Sequence, residues 1–553
     1  MGRYAIGFDF GTLSARALLL DLESGQEIAD AAEFYPHGVI ETALSCGKAL
    51  PSGWALQDPA DYLSCMAQVS ASVMRQSGIA AEEIVGIGLD FTSSTVLPVD
   101  ENGTPLCQLP AFFDEPHAYV KLWKHHGAER EAVEIDRLAR ERGEAWLNLY
   151  GGKVSSEWMV PKILETVRHA PEVYHHAAHF MEAMDWIVWR LTGAISRSSC
   201  AAGYKSFYRH DSGYPSQAFL DALEPRFSDL LSKKLYGPVV EAGTLGGRLT
   251  AEMAAVLGLC AGIPVGVGVI DAHASVIGSG VSEPGTMMII VGTSSCHMLL
   301  SERETEIPGI AGVVKDGIVP GYFAYEAGQS CVGDLYAWFV KNCVPERYEK
   351  EAAEQNVSMH QLLTEKLQDY QPGQSGLLAL DWHNGVRSPL MDFDLNGLIL
   401  GMNLQTTPEE VYLSLIEATA YGTRMIVESF ENAGVHVDQL LMSGGIPLKN
   451  PLLVQIYSDV CNREIVVSSS SNASVRGAAL LGAAASGFYG TLKEIVQKYA
   501  VSGEHRYVPR KDHVGIYDQL YREYCQLHAY FGTGGNHVMK RLNQLRHVAQ
   551  KKQ

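Results

Sequence analysis

The sequence predicts an α/β protein of two similarly built domains set around a central cleft. Three observations predict it. The chain has 553 residues, room for two large domains. It opens on a strand, a tight turn and a strand, Ala5 to Arg16 followed by the apolar run Ala17 to Leu20, with an acid, Asp9, at the bend. A second unit of the same make, Met287 to Leu300 around Gly292-Thr293-Ser294-Ser295, stands in the other half of the chain. Such self-similarity is what a duplicated domain leaves behind.

The elements follow in order. In the first unit Ile6 and Phe8 alternate with smaller residues, Gly11 permits the turn, and Thr12 and Ser14 put hydroxyls beside exposed backbone N–H groups. Such a turn cradles anions, and a carboxylate beside it fits a divalent cation held between them. An ordinary hairpin with a polar turn is the plainer alternative. Ile84 to Leu89 reads as a strand ending in the polar cluster Asp90-Phe91-Thr92-Ser93-Ser94-Thr95, and Val96 to Val99 resumes it before the turn Asp100-Glu101-Asn102-Gly103. Helical patterns fill Pro116 to His126, Glu129 to Glu144, Pro161 to His169 and Met181 to Leu191, the last closed by Thr192-Gly193. A Gly- and Ala-rich stretch at 263–280 marks the domain junction, giving domains 1–280 and 281–500 and a helical extension 501–553.

In the second half Thr407, Pro408 and Glu410 form a capping box that opens a long helix to about Asn432. The strand Leu440 to Met442 runs into Ser443-Gly444-Gly445; Pro451 to Cys461 is helical and Ile465 to Val467 is a strand. Val475 to Ser486 is rich in small residues and predicts a closely packed helix. Tyr517, Leu520, Tyr521, Tyr524 and Leu527 recur at helical spacing and predict core packing. The basic end, with Lys540, Arg541, Arg546, Lys551 and Lys552, reads as a solvated terminal helix.

Hydrophobic residues make up 46% and charged residues 19%, so the chain can bury real cores. A net charge of −20 argues against nucleic acid or an anionic membrane as the main partner. The 10 cysteines form no Cys-x-x-Cys pair, which fits reduced thiols. The first residues lack a secretory apolar segment, and no uncharged apolar run reaches membrane-spanning length. The expectation is a soluble, cytoplasmic protein.

Phosphoryl transfer needs charge neutralisation, in-line positioning and an acceptor for the nucleophile's proton. The two turns and Asp9 supply the first. For the last, Asp271 ends the apolar run Val265 to Ile270 and precedes the small residues Ala272-His273-Ala274-Ser275. A strand-end acid there points into a cleft; the alternative is a simple helix cap. Gly444-Gly445 lets a backbone approach a flat ligand closely, or is a bare turn. There is no Gly-x-x-x-x-Gly-Lys-Ser/Thr loop and no protein-kinase signature. His175, His176 and His179, with no nearby Cys, read as a solvated face rather than a metal site.

Together these motifs resemble the FGGY family of carbohydrate kinases over nearly the whole chain. The family's landmarks match Gly7-Phe8-Asp9-Phe10-Gly11-Thr12 with Ser14 and Arg16, Pro161-Lys162, Leu191-Thr192-Gly193, Gly292-Thr293-Ser294, Gly397 to Met402 continuing to Glu417, and Gly444-Gly445. Within the family, Asp90 to Thr95, Leu97 to Asp100 and Pro116 to His126 resemble the branch that acts on L-ribulose. Ser93-Ser94 stands where glycerol kinases carry Arg-Glu, and Trp123-Lys124-His125 where xylulokinases show Trp-Asn-Asp.

The resemblance implies two ribonuclease-H-like domains of the actin/hexokinase type. It implies ATP-dependent phosphorylation of a ribulose at its 5-hydroxyl in L-arabinose catabolism, with ATP and Mg2+ as cofactors. The partner would be a small ketopentose, and the assembly a homodimer. Asp271 would be the base on the sugar hydroxyl; Ser93, Trp123, Lys205 and Glu326 would line the sugar pocket. Asp9 would hold Mg2+, mostly through water. Thr12, Ser14, Arg16, Gly292 and Thr293 would handle the phosphates, and Gly333, Gly444, Gly445, Lys449 and Asn450 would surround the nucleoside. Without the resemblance, Lys205 reads as a surface charge and Glu326 as a solvated strand end. The rival readings are another pentulose or pentitol kinase of the family, a non-catalytic sugar sensor on the same fold, and an actin-like ATPase.

Overall fold

The computed structural model describes residues 3–468, 470–500, 503 and 505–550. Its first sheet is built from β1 (Tyr4–Phe10), β2 (Ser14–Asp21), β3 (Glu27–Phe34), β4 (Ile84–Phe91), β5 (Leu245–Arg248), β6 (Pro264–Gly266) and β7 (Val269–Ile270). The order is β3-β2-β1-β4-β6-β5, with β7 also on β4. β2 runs antiparallel to both β1 and β3, whereas β4 lies parallel to both β1 and β6. The second sheet uses β8 (Thr286–Val291), β9 (Ser295–Ser301), β10 (Gly312–Lys315), β11 (Phe323–Gln329), β12 (Gln439–Ser443), β13 (Ile465–Val467) and β14 (His505–Tyr507). Its order is β10-β11-β9-β8-β12-β13-β14. Again three strands meander antiparallel, β8-β9-β11, and two more, β12 and β13, lie parallel on the other side of the first. The repeat legible at Asp9 and Gly292 is therefore a repeat of whole-sheet topology, the expected ribonuclease-H-like pair.

Parallel strands are covered on both faces, so they are apolar throughout. All of β4 is buried. One cover is α1 (Pro59–Ser77), packed on β2 and β3. α2 (Asp271–Gly278) follows β7 directly, and α3 (Gly333–Cys343) follows β11 in the second half. There α4 (Pro408–Asn432) starts on the expected capping box of Thr407 and Glu410 and packs against α5 (Pro451–Cys461). The small-residue helix α6 (Ala473–Ala485) packs closely as expected, but against the first sheet. A Cβ on Gly88 would stand 1.9 Å from the Ala478 carbonyl oxygen, and one on Gly482 would stand 2.6 Å from the Gly88 nitrogen. Backbone thus lies on backbone, which only glycine allows. α7 (Lys511–Gly532) buries Tyr517, Tyr521 and Tyr524, with Leu520 and Leu527 packed at the edge of the same core.

Two expectations inside the segment between β4 and β5 are corrected. Pro116 to His126 is not a helix: a single turn at Pro116–Ala118 leads to a short strand, Val120–Lys121, because Lys121 pairs with Val96. The helix expected from Met181 starts at Ala183, because His179–Glu182 pairs with Val96–Val99. In both places tertiary strand pairing overrides local periodicity. Pro161 sits in the first turn of the helix Met159–His169, where its missing N–H costs nothing. The ring nitrogen Nδ1 of His179 lies 3.0 Å from the Lys233 carbonyl. Lys540, Arg541 and Arg546 ride on the helix Val538–Gln550; Lys551 and Lys552 lie outside the described residues. No described helix is long and apolar enough to cross a membrane.

Candidate active site

Strand register assembles three carboxylates. β1 on β4 sets Asp9 beside Asp90, and β7 on β4 sets Val269 beside Asp90. Asp271, two residues on, then opens α2. Asp9 faces Arg16 across the hairpin; the two form an ion pair, and Ser474 of α6 donates to Asp9 Oδ2 at 2.7 Å. Asp90 is fully buried, with Asp9 as its neighbour across the strand pair. Burial, with Asp9 and Asp271 nearby, lifts its carboxyl well above the usual carboxylate range. Burial and then the charge of Asp9 push Asp271 up to about 7, against the Ala272 N–H at 2.7 Å and the charge of Arg16. Asp271 is therefore not a plain helix cap: it is the first helical residue, and Ile270 holds the cap position.

A cavity of about 340 Å³ is lined by Asp9 and Asp271. Every expected sugar contact lines it: Ser93, Trp123, Lys205, Asp271 and Glu326. So do Asp9, Gly11, Thr12 and Arg16 from the first turn. Lys205 and Glu326 are no surface charges. Lys205 Nζ donates to Glu326 Oε2 at 3.1 Å, and both residues are buried. Burial alone would raise the Glu326 carboxyl, but Lys205, His273 and Arg387 hold it below its ordinary value. Trp123 Nε1 donates to the Thr12 hydroxyl at 3.1 Å, tying this wall of the cavity to the first turn.

A second cavity, of about 990 Å³, is lined by Gly292, Thr293, Gly333, Gly445, Lys449 and Asn450. The turn after β8 stands between the two cavities, with Ser294 on the first and Gly292 and Thr293 on the second. A Cβ on Gly333 would meet the Gly292 carbonyl oxygen at 2.5 Å, so this side is also packed backbone to backbone. Asn450 has a second task, accepting from the Leu453 N–H at 3.0 Å as the cap of α5. Two expected residues line neither cavity. The Ser14 carbonyl accepts from the Gly11 N–H at 3.0 Å and closes the first turn. Gly444 sits at φ +111°, where a Cβ would stand 2.2 Å from the Val291 carbonyl oxygen. Both shape the turns from behind.

Three residues here were not among the expected site residues: His273 and Arg387 line the first cavity, and Asp90 lies beside Asp9 on the neighbouring strand. Asp90 had a signal, an acid ending an apolar strand just as Asp9 does. His273 lies 3.6 Å from Glu326 through Nε2 and 3.0 Å from the Cys200 sulfur through Nδ1, with burial pushing it down to about 4. Arg387, after β11, gave no signal, being a lone Arg in a loop; it reaches the cavity only through the fold.

Among the described residues no three His, Cys, Asp or Glu side chains converge as a metal cage. Mg2+ needs none, since it is bound through one or two carboxylates, phosphate oxygens and water. Asp9, with the Asp90 carboxyl group beside it and a turn rich in N–H and hydroxyl groups next to it, fits that kind of site. The whole arrangement can hold a small polyhydroxylated molecule against an acid poised near neutrality, with a phosphate cradle on each side.

Two family models match the chain: the N-terminal domain of the FGGY family of carbohydrate kinases over residues 4–278 and its C-terminal domain over 287–486. The chain is 50% identical over 553 residues to a protein named ribulokinase from Geobacillus thermodenitrificans, covering 99% of this chain and 98% of that one. It is 49% identical to a ribulokinase from Halalkalibacterium halodurans, with 99% and 98% covered. Among solved structures it resembles a gluconate kinase from Lactobacillus acidophilus at a TM-score of 0.80 and 18% identity, covering 96% of this chain and 98% of that one.

Proposed function

The chain belongs to the FGGY family of carbohydrate kinases, and on that premise we propose that it phosphorylates L-ribulose, and D-ribulose beside it, at the 5-hydroxyl with ATP. The observation that carries this is Asp271 in a sugar-sized cavity that the Gly292–Ser294 turn divides from a nucleotide-sized one. The choice of ribulose rests on full-length relatives of that name at about half identity. L-arabinose catabolism, a cytoplasmic place, a homodimer and domain limits at 280 and 500 belong to the same proposal.

An alcohol is a poor nucleophile and its proton must leave. The Asp271 carboxylate orients the sugar's terminal hydroxyl and accepts that proton late, as the loose transition state demands. Lys205 and Glu326 present a donor and an acceptor to the remaining hydroxyls. Trp123 and Ser93 close the pocket, and Thr12, Thr293 and the backbone N–H groups of both turns face the phosphates. Mg2+, held at Asp9, would neutralise phosphate charge.

The test is a coupled ADP-release assay over L-ribulose, D-ribulose, xylulose, pentitols and glycerol. L-ribulose should give the highest kcat/KM. A pentitol or xylulose ahead of it would move the chain to another branch of the family, and no turnover with any would leave a sugar sensor.

A further inference from the structure

Lys162 stands in the helix Met159–His169, outside the cavity lining, and is 1% exposed. Its ammonium group makes no ion pair among the described residues. All three of its hydrogen bonds go to backbone carbonyls: Ser94 at 2.6 Å, Leu122 at 2.8 Å and Lys121 at 3.4 Å. Those carbonyls belong to the two segments that bring Ser93 and Trp123 to the sugar cavity. Ser94 is also one of the few non-glycine residues in the left-handed region, at φ +48°. A serine does not hold that conformation unaided. From the other side the Thr95 N–H donates to Glu182 Oε2 at 3.0 Å. The Ser93–Thr95 bend is thus clamped between a buried cation on its carbonyl and a buried acid on its N–H.

A buried ammonium is costly, and an apolar side chain of the same length would pack as well. For core stability alone Lys162 is a poor choice. Its ammonium instead joins, through one group, carbonyls of the two walls that carry Ser93 and Trp123. Trp123 in turn donates to Thr12 of the phosphate turn.

We propose that Lys162 is a positioning residue for sugar recognition, setting the Ser93–Ser94 bend and the Leu122–Trp123 strand end at the spacing the substrate requires. It touches no substrate and acts through those backbone carbonyls. The proposal rests on the assignment of the first cavity to the sugar.

The test compares Lys162→Met with Lys234→Met. Lys234 is a second buried lysine that donates only to the Tyr174 and Ala177 carbonyls, away from both cavities. Both variants lose a buried ammonium, so both should melt lower than the parent. Lys162→Met alone should raise the sugar KM, by about 10- to 100-fold, with the ATP KM held within about twofold. Adding Ser94→Gly, which takes the left-handed conformation freely, should recover part of the lost sugar affinity. Lys162→Gln, which keeps a neutral donor of similar reach, is read by the same criteria if the Met variant does not fold. The proposal is overturned by a sugar KM within about twofold of the parent, or by sugar and ATP KM rising together. It is equally overturned if neither Lys162 variant folds while Lys234→Met does. The parent's own preferred sugar is used throughout. A parent that prefers a sugar other than ribulose therefore unseats the substrate assignment without touching this comparison.

Discussion

At the scale of single residues the site is defined by where charge is left uncompensated. Asp9 has Arg16 and Ser474, and Glu326 has Lys205, but Asp271 has no ion pair, only one backbone N–H and the more distant charge of Arg16, and sits at about 7. That is the pKa wanted of a base working near neutral pH. Asp271→Asn keeps the shape and removes the proton acceptor. Its kcat should fall by about 10²–10⁴-fold while ATP affinity, measured by nucleotide titration, stays near the parent's. Near-normal turnover would remove Asp271 from the mechanism. Much of this site was legible beforehand, because an acid at the end of an apolar strand is a local anomaly. Asp90 has the same signature as Asp9. Arg387 has none, and Lys205 and Glu326 look like ordinary polar residues until a pairing across 121 positions buries them together.

At the scale of elements, α4 carries a titration of its own. Glu417 is buried on it, with Oε1 unpartnered, and burial pushes its carboxyl up to about 8. Below its ordinary value of 4.5 the group is protonated whether the chain is folded or not. Between 4.5 and about 8 the unfolded chain ionises while the folded one keeps its proton, so stability falls as pH rises. Above about 8 the loss is complete. Glu417→Gln removes this window. Relative to the parent, its urea midpoint should shift upward between pH 5 and pH 8.5, by the equivalent of about 1–3 kcal/mol. A difference that stays flat across that range would mean Glu417 is ionised in the fold. The capping box that begins α4 was readable because it involves four neighbouring residues. The misread elements, Pro116 to His126 and the start at Ala183, are those whose state is set by strands pairing from elsewhere.

For the whole molecule, two sheets of the same topology each offer one turn to the site, and the Gly292–Ser294 turn stands between the two cavities. On the proposed function each half holds only part of the chemistry, and closure of the two on bound substrates would keep water from the transferring phosphate. Small-angle scattering should therefore show a smaller radius of gyration with sugar plus a nonhydrolysable nucleotide than for the free protein. An unchanged radius with both ligands bound would exclude closure. α6 bears on this motion. It comes late in the chain yet lies backbone to backbone on β1 and β4, and its Ser474 reaches Asp9.

The sequence by itself determined the features that depend on a few consecutive residues. Those are the two Gly-Thr turns, the acids at strand ends, the capping box of Thr407 and Glu410, and the small-residue helix. Their physics is local, resting on allowed φ/ψ, a nearby N–H to satisfy, or a missing Cβ. Only the tertiary structure decided what is buried and against what. It put Asp90 beside Asp9, joined Lys205 to Glu326, brought Arg387 to the cavity and laid α6 on the first sheet. It also set the ammonium of Lys162 under the carbonyl of Ser94. Burial and ion pairing depend on which segments meet in space, and that is settled by packing over hundreds of residues rather than by the identity of a neighbour.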